Sequence, residues 1–506
     1  MDRILPADRY LGSHCGVLVI GSGTSGLATA LELAAHGVED VVVVDHGPFA
    51  GFEHDTRTSP TPRCPPPPAD WRASSRHYQV PPGVALPVGG RSRGWQGVVM
   101  PINETVLRQR WPHQVVEELH SDGPGSYAGV LRDLAEWRGE PVTTAQTASD
   151  TGVQAAWNDV LDELPVAPVP QIGRYADSDS GRQYWVYSPL MAWRGDGVPR
   201  YHGLALPTIV HGLQALHLVT DHDAVTGAAF RLPDGTTRTI TADTVVLAAG
   251  ALENTRLYAQ ALGAVREPVL NWPGLNDHLT HGIVVPLPES LRDGWSAPDR
   301  AFLMGDLEAR FNGNLFVDVH AAGMPEPILD LWWIAQQVEP FPDSISFQAD
   351  SPVWSARIES KPNEADELSI ARRDEFAIDL LTRLGVKEID QVAPDAIAVA
   401  IGRALGDRRA VRYHHAPGIA DHEAGTLSLG THLLPGGRSS WAANLYVAGP
   451  ASFPTPGAAN PTLTILALGA QTAAAIADAD RRVPAPRTPA SLSPVQPLMS
   501  NQSDSR

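Results

Sequence analysis

Residues 17–45 read VLVIGSGTSGLATALELAAHGVEDVVVVD, and this stretch limits what the chain can fold into more than any other. An apolar run, Val17–Ile20, meets a turn of Gly21, Ser22, Gly23, Thr24, Ser25 and Gly26. Leu27, Ala30, Leu31 and Ala34 follow at the i, i+3, i+4, i+7 spacing of a helix, and Gly37 closes it. A second apolar run, Val41–Val44, ends in Asp45, with His46 beside it. Each part has a mechanical reason. Gly21 permits the tight turn, Gly23 lets backbone approach a pyrophosphate, and Gly26 lets helix pack close on strand. The helix N-terminus, at Thr24 and Ser25, offers unpaired N–H groups and partial positive charge to phosphates. Asp45 stands 19 residues beyond Gly26, where it can accept hydrogen bonds from an adenosine ribose. A glycine-rich turn alone is a weak signal; strand, helix, second strand and terminal acid together predict a dinucleotide site.

At 506 residues the chain exceeds what one core normally serves, so two domains are expected. Composition is that of a soluble globular protein, 43% hydrophobic and 19% charged. A formal net charge of −19 argues against a nucleic-acid or anionic-membrane partner. Two cysteines, Cys15 and Cys64, make neither a disulfide framework nor a metal cluster, and no metal site is expected. The opening MDRILPADRYLGSHCG lacks an apolar leader core, and no uninterrupted apolar run reaches ~18 residues. A cytoplasmic protein without a membrane span is the expectation.

Along the chain, 49–87 is proline-rich and loop-like, and VGGRSRGWQGVVMPI at 88–102 returns to small residues. Helical pattern covers 104–137, while 141–204 reads as irregular and aromatic. Alternating apolar residues at 216–247 predict a β-ribbon broken at Thr226-Gly227 and again at Asp234-Gly235. It ends in a strand, Ala249 and Gly250, then a helix over Leu252–Ala261. Residues 286–405 read as strand-like runs with Trp332, Trp333 and Trp354, and the tail 481–506 reads as disordered. Residues 10–110, 205–285 and 408–480 therefore form one discontinuous nucleotide-binding domain, with 111–204 and 286–407 forming a second.

Two late segments carry the chemistry. Residues 422–430 read HEAGTLSLG, and 445–468 read LYVAGPASFPTPGAANPTLTILAL. Asn460 before Pro461 is the N-cap and first-turn chemistry of a helix start. A capping Asn at a helix mouth can also present its side chain to a ligand.

Taken together, these pieces resemble the glucose–methanol–choline family of FAD-dependent oxidoreductases, and within it most the pyranose oxidase branch. The matching stretches are the opening dinucleotide fold, VGGRSRGWQG, VVLAAGALENTRLYAQALG, PGLNDHLTHG, IESKPNEADELSI, HEAGTLSLG and GPASFPTPGAANPTLTILALG. The resemblance weakens at 110–200 and 290–405, where such enzymes recognise substrate. It implies an α/β chain: a Rossmann-type FAD-binding domain built from discontinuous segments, plus an α+β substrate domain with a mainly antiparallel sheet. It implies two catalytic side chains, His422 and Asn460; His414 and His415, before a Pro-Gly turn, are the weaker alternatives for the histidine. It also implies cofactor contacts from Gly90, Arg91, Ser92, Trp95, Gln96, Gly97, Ala249, Gly250, Gly449, Pro461 and Thr462, besides the opening motif.

Three departures matter. Relatives that attach FAD covalently use a histidine in GG-x-S-x-H-W, and Gly94 stands there, so FAD is expected to be noncovalent. Gln96 and Gly97 replace the small hydroxyl residue that often sits near flavin N5. Leu429 replaces a common Met. The implied reaction oxidises an alcohol, a secondary hydroxyl of a sugar, glycoside or other natural product, by hydride transfer to flavin N5. His422 is the base, a role worth ~10²–10⁴-fold, and Asn460 orients the oxygen. Tyr184, Trp185, Tyr187, Trp193, Trp332 and Trp333 are either core residues or ring-stacking surfaces. Molecular oxygen, a quinone or a protein can take the electrons, and a lyase without net redox or a non-catalytic flavin-binding protein are the rivals. The opening motif alone would also suit NAD. Oligomeric state is open.

Overall fold

The computed structural model describes residues 3–482 apart from 53–70, 74–86, 143, 179–180, 266–270, 306, 322, 340–342, 350–353, 361, 391, 395, 416–417 and 419. Cys64, most of the proline-rich stretch and the tail beyond Arg482 lie outside these residues.

The opening motif folds as its residues require. Strand His14–Ile20 turns into helix Thr24–Ala35 and returns in strand Val41–Asp45, parallel to the first with Ile20 opposite Val44. Strands Ile4–Pro6, Thr208–His211 and Thr237–Leu247 extend this parallel sheet on both sides. Leu445–Val447 joins parallel to the end of Thr237–Leu247. The sheet thus gathers strands from the start, middle and end of the sequence, which is possible because each buries a near-continuous apolar run between layers of helix. The turn depends on missing side chains. A Cβ on Gly26 would lie 1.9 Å from the Gly21 carbonyl oxygen, and one on Gly21 would lie 2.4 Å from that of Ala248.

The β-ribbon at 214–247 is present, with one difference from the sequence reading. Asp234-Gly235 makes a hairpin turn, Gly235 sitting at φ 84°. Thr226-Gly227 does not. The turn falls at His222-Asp223, between strands Gln214–Asp221 and Ala224–Arg231, while Gly227 lies within a strand at a register shift. The cause is close approach, since a Cβ on Gly227 would meet the Ile240 carbonyl oxygen at 2.2 Å.

A second sheet of seven strands is antiparallel except at one edge. Its order is Ile389–Asp390, Ala410–His414, His278–Pro286, Ile328–Gln336, Gly313–His320, Ala301–Gly305, Ala167–Pro168. One face packs on helices Ala148–Val160 and Glu364–Arg383 through Leu303, Leu315, Val317, Leu331 and Trp333. The sequence reading described both helical stretches as irregular or strand-like. Each has a capping box that marks its start: Thr147 with Asp150, and Asn363 with Asp366. Polar first turns diluted the apolar period and hid them. The α/β nucleotide-binding domain and the antiparallel-sheet layer expected from the sequence are both present.

The last helix, Thr462–Arg482, lies against the first, with Gly469 letting its backbone come down on Ala28 and Thr29. It is apolar and long enough to pass for a membrane span, and 72% of that window is buried inside the fold.

Replacing Gly26 with Ala should cost on the order of 3 kcal/mol, because a backbone carbonyl must move to admit the methyl group. Thermal unfolding of the purified variant, together with its bound-flavin absorbance, checks this; a variant as stable and as yellow as the parent contradicts it.

Candidate functional site

The residues named from the opening motif form one surface with segments far away in sequence. A Cβ on Gly90 would stand 3.1 Å from the Gly23 Cα, and one on Gly449 would stand 2.9 Å from the Ser25 Oγ. Ser22 Oγ accepts from Gly89 N at 3.2 Å, binding the 89–94 turn to the glycine-rich turn. Ala249 follows the neighbouring strand, its N–H donating to Asn254 Oδ1 at 2.7 Å, and Gly250 accepts from Asn254 N. Asp45 accepts from Ser22 N and Oγ at 2.7 and 2.6 Å and from Gly47 N at 2.8 Å. Burial lowers the proton affinity of His46 beside it below the ordinary imidazole value. No side chain caps helix Thr24–Ala35, so its first N–H groups stand at the middle of this surface. Gly21, Gly23, Thr24, Ser25, Gly26, Asp45, Gly90, Ala249, Gly250 and Gly449 therefore line one cradle. Backbone bare of Cβ atoms over an uncapped helix end suits a pyrophosphate, so these residues fit an FAD.

The remaining residues of the 91–97 turn have other partners. Ser92 Oγ donates to Gly89 O at 2.6 Å and shares a second hydrogen bond with Ser188 Oγ, also at 2.6 Å. Trp95 Nε1 donates to Tyr187 O at 2.8 Å, and Gln96 O accepts from Gln171 Nε2 at 2.8 Å. Gly97 packs on Ile172 and Val186. Arg91 makes a two-pronged contact with Glu423 at 2.6 and 3.1 Å and reaches the Asp421 carbonyl at 2.8 Å. Its guanidinium is thus committed to the residues on either side of His422.

His422 sits where three segments meet. Ala424 and Asn276 exchange backbone hydrogen bonds, and Gly425, Leu427 and Leu429 donate to the carbonyls of Pro450, Ala451 and Ser452. The HEAGTLSLG segment is thereby stitched between 276–278 and 450–452. Its histidine is half-buried and meets His278 edge to face, Nδ1 to Nδ1, at 2.7 Å. His278 is buried, and its Nε2 lies 3.0 Å from the Gly457 carbonyl oxygen. That carbonyl belongs to the loop ending at Asn460. Burial, His278 and Arg91, in that order, push the proton affinity of His422 well below the ordinary imidazole range. Burial also pushes His278 down to about 4. Both rings are therefore neutral near pH 7.

Asn460 does not cap the last helix, as its position before Pro461 suggested. The helix runs from Thr462, with Ile465 N donating to Pro461 O, and Asn460 Oδ1 is buried with no hydrogen-bond partner among the described residues. Pro461 is buried beneath it and Thr462 is half-buried. The loop is held from outside: Glu308 Oε1 accepts from Ala458 N at 3.2 Å, and Asn314 Nδ2 donates to Ala458 O at 2.9 Å. A fixed loop with an unsatisfied amide oxygen leaves that group open to a bound molecule.

His414 and His415 lie elsewhere. His414 and His281 both bond to Asp374, and His415 stands edge-on to Tyr413. Among the aromatic residues, Tyr187 and Trp193 are buried, and Trp193 donates to Pro207 O. Trp185 is half-buried beside Arg194, and the Tyr184 side chain lies outside the described residues. Trp333 faces the helices and is fully buried. Trp332 lies on the other face, the one that carries His278. There it is half-buried and stacks on Phe316 at 4.3 Å. His278 and Glu423 are the residues that sequence reasoning passed over. Both lay inside quoted motifs, but nothing in a single sequence joins positions 144 residues apart.

Residues 16–56 match the family model described as an FAD binding domain. No curated protein matches the sequence. The fold is shared with pyridoxine 4-oxidase from Mesorbium loti, at TM-score 0.57 and 15% identity, covering 91% of this chain and 98% of that one. It is also shared with a formate oxidase of Aspergillus oryzae RIB40 studied for FAD modification, at TM-score 0.61 and 15% identity, covering 93% and 99%.

Arg91→Leu should cost on the order of 2 kcal/mol, less than a wholly buried pair because the arginine is partly exposed, since it leaves the buried Glu423 carboxylate without its fork. Denaturant unfolding measures this, and Arg91→Lys should recover only part of the loss; an unchanged midpoint for Arg91→Leu contradicts the anchoring role. The chain thus carries an FAD-binding segment at 16–56 and shares the fold of these two oxidases.

Proposed function

We propose that this protein oxidises an alcohol to a carbonyl compound with noncovalent FAD as cofactor. The observation that carries this reading is the convergence of three features. They are a neutral histidine at His422, a carboxamide with an unsatisfied buried oxygen at Asn460, and a phosphate cradle built from the first βαβ unit. FAD, when bound, supplies the acceptor for the carbon-bound hydride.

The chain's own residues supply the rest. His422 takes the hydroxyl proton, for which a ring kept neutral by burial is suited. Asn460 holds the substrate oxygen and so fixes which carbon–hydrogen bond faces the cofactor. The uncompensated N-terminus of Thr462–Arg482 provides positive potential where negative charge gathers on reduction. Gly94 offers no nucleophile, and a side chain built there would meet nothing within 4 Å, so the cofactor has no covalent anchor at that position.

The substrate is a cyclic secondary alcohol such as a sugar, glycoside or other natural product. Trp332 supports this, being the aromatic of the group that is incompletely buried and shares a sheet face with His278. Oxygen is the favoured electron acceptor, since both structural neighbours are named oxidases.

His422→Ala should retain FAD while bleaching of the flavin by substrate, followed anaerobically, slows at least about a hundredfold; bleaching at the parent rate removes His422 from this role. In the parent, that rate should stay level as pH falls through 6.5, because burial, His278 and Arg91 hold the proton affinity of His422 well below that value. A half-maximal point at or above 6.5 contradicts this. Unfolding in denaturant followed by filtration should free the yellow cofactor, whereas colour retained with the polypeptide contradicts noncovalent binding.

A further inference from the structure

We propose that His278 is a positioning residue that fixes the tautomer of His422, so that Nε2 of His422 carries the free lone pair. The inference rests on the role given to His422 above, and the geometry assigns the protons by elimination. His278 Nε2 lies 3.0 Å from the Gly457 carbonyl oxygen, which can only accept, so Nε2 bears the hydrogen. The buried ring is neutral, so His278 Nδ1 is an acceptor. The facing Nδ1 of His422, 2.7 Å away, must then be the donor. The opposite arrangement sets two lone pairs against each other at Nε2 and the carbonyl oxygen. A neutral His422 that donates from Nδ1 has a bare Nε2.

The two bonds also hold the ring in place. Edge-to-face contact at 4.9 Å and 87° leaves His422 one orientation in which its Nδ1–H points at His278. His278 is itself fixed at its backbone, where its N–H donates to Asp277 Oδ1 at 2.6 Å, and at its far nitrogen by Gly457. A proton arriving from the substrate hydroxyl breaks the O–H bond and forms Nε2–H, giving an imidazolium whose Nδ1–H bond to His278 strengthens as charge develops. The relay ends there, because a peptide carbonyl cannot take a proton onward. His278 therefore acts through His422 and does not touch substrate. The charged groups around the pair are Arg91, Glu423 and Asp421, with Arg91 occupied by those two carboxylates, and the titratable Asp277 is pushed by burial well above the usual carboxylate range.

Two substitutions and one spectrum test this. His278→Leu keeps the bulk and removes the acceptor; His278→Asn keeps an oxygen at the Nδ1 position. In anaerobic mixing with substrate, His278→Leu should slow flavin reduction about a hundredfold without a matching change in KM. His278→Asn should return to within about tenfold of the parent. A structural role alone predicts equal losses in both variants, and equal losses, or parent rates in both, overturn the proposal. Histidine-selective ¹⁵N spectra of the FAD-loaded parent give a readout apart from turnover. They should show His422 pyrrole-like at Nδ1 and pyridine-like at Nε2, and a proton on Nε2 overturns the proposal even if the leucine variant fails to fold. Should His422→Ala bleach normally while this tautomer is seen, the proposed reaction fails and the assignment of His278 stands.

Discussion

Two hydrogen bonds through one buried imidazole hold the centre of this protein together. His278 comes from the antiparallel sheet, His422 from the segment stitched to 450–452, and Gly457 from the loop that opens the last helix. Backbone bonds from Gly425, Leu427 and Leu429 to 450–452 already join the two segments, and the imidazole adds the link between the His422 ring itself and the loop of Asn460. With them, the two groups share a frame fixed to about the precision of a hydrogen bond, which is the tolerance proton transfer demands.

The frame is built on uneven foundations. The cofactor cradle rests on backbone contact: Gly21, Gly26 and Ala248 touch where no side chain fits, and the 89–94 turn is tied to Ser22. The substrate side rests on side chains: Glu308 and Asn314 clamp Ala458, and Arg91 clasps Glu423. A fold can keep the first through great sequence change, because it needs glycines, main chain and only a few small polar side chains such as Ser22. The second depends on particular side chains and is free to vary. That division is consistent with 15% identity to two oxidases over more than nine-tenths of this chain.

Sequence made the first half readable for the same reason. A strand, a glycine turn, a helix and an acid each leave a local pattern, and Gly21 through Asp45 fold as that pattern dictates. His422, Asn460 and the glycines at 90 and 449 were legible through resemblance of short motifs. What stayed hidden was non-local. His278 bonds to a residue 144 positions away, and no period or spacing encodes such a contact. Asn460 looked like a cap because its neighbour is proline, yet its oxygen has no hydrogen-bond partner among the described residues. Gly227 looked like a turn because close approach in a strand and reversal of the chain both call for the same residue. Helices Ala148–Val160 and Glu364–Arg383 were missed because their polar first turns blurred the apolar period, though their capping boxes were in view.

A crystal structure of the FAD-loaded protein is the most direct measurement of the central claim. The account predicts an isoalloxazine ring seated between the glycine cradle and the loop of Asn460, with Nε2 of His422 and the carboxamide of Asn460 both facing its reactive edge. A ring bound with those two groups turned away from it, or a density for flavin in some other part of the molecule, would contradict the account.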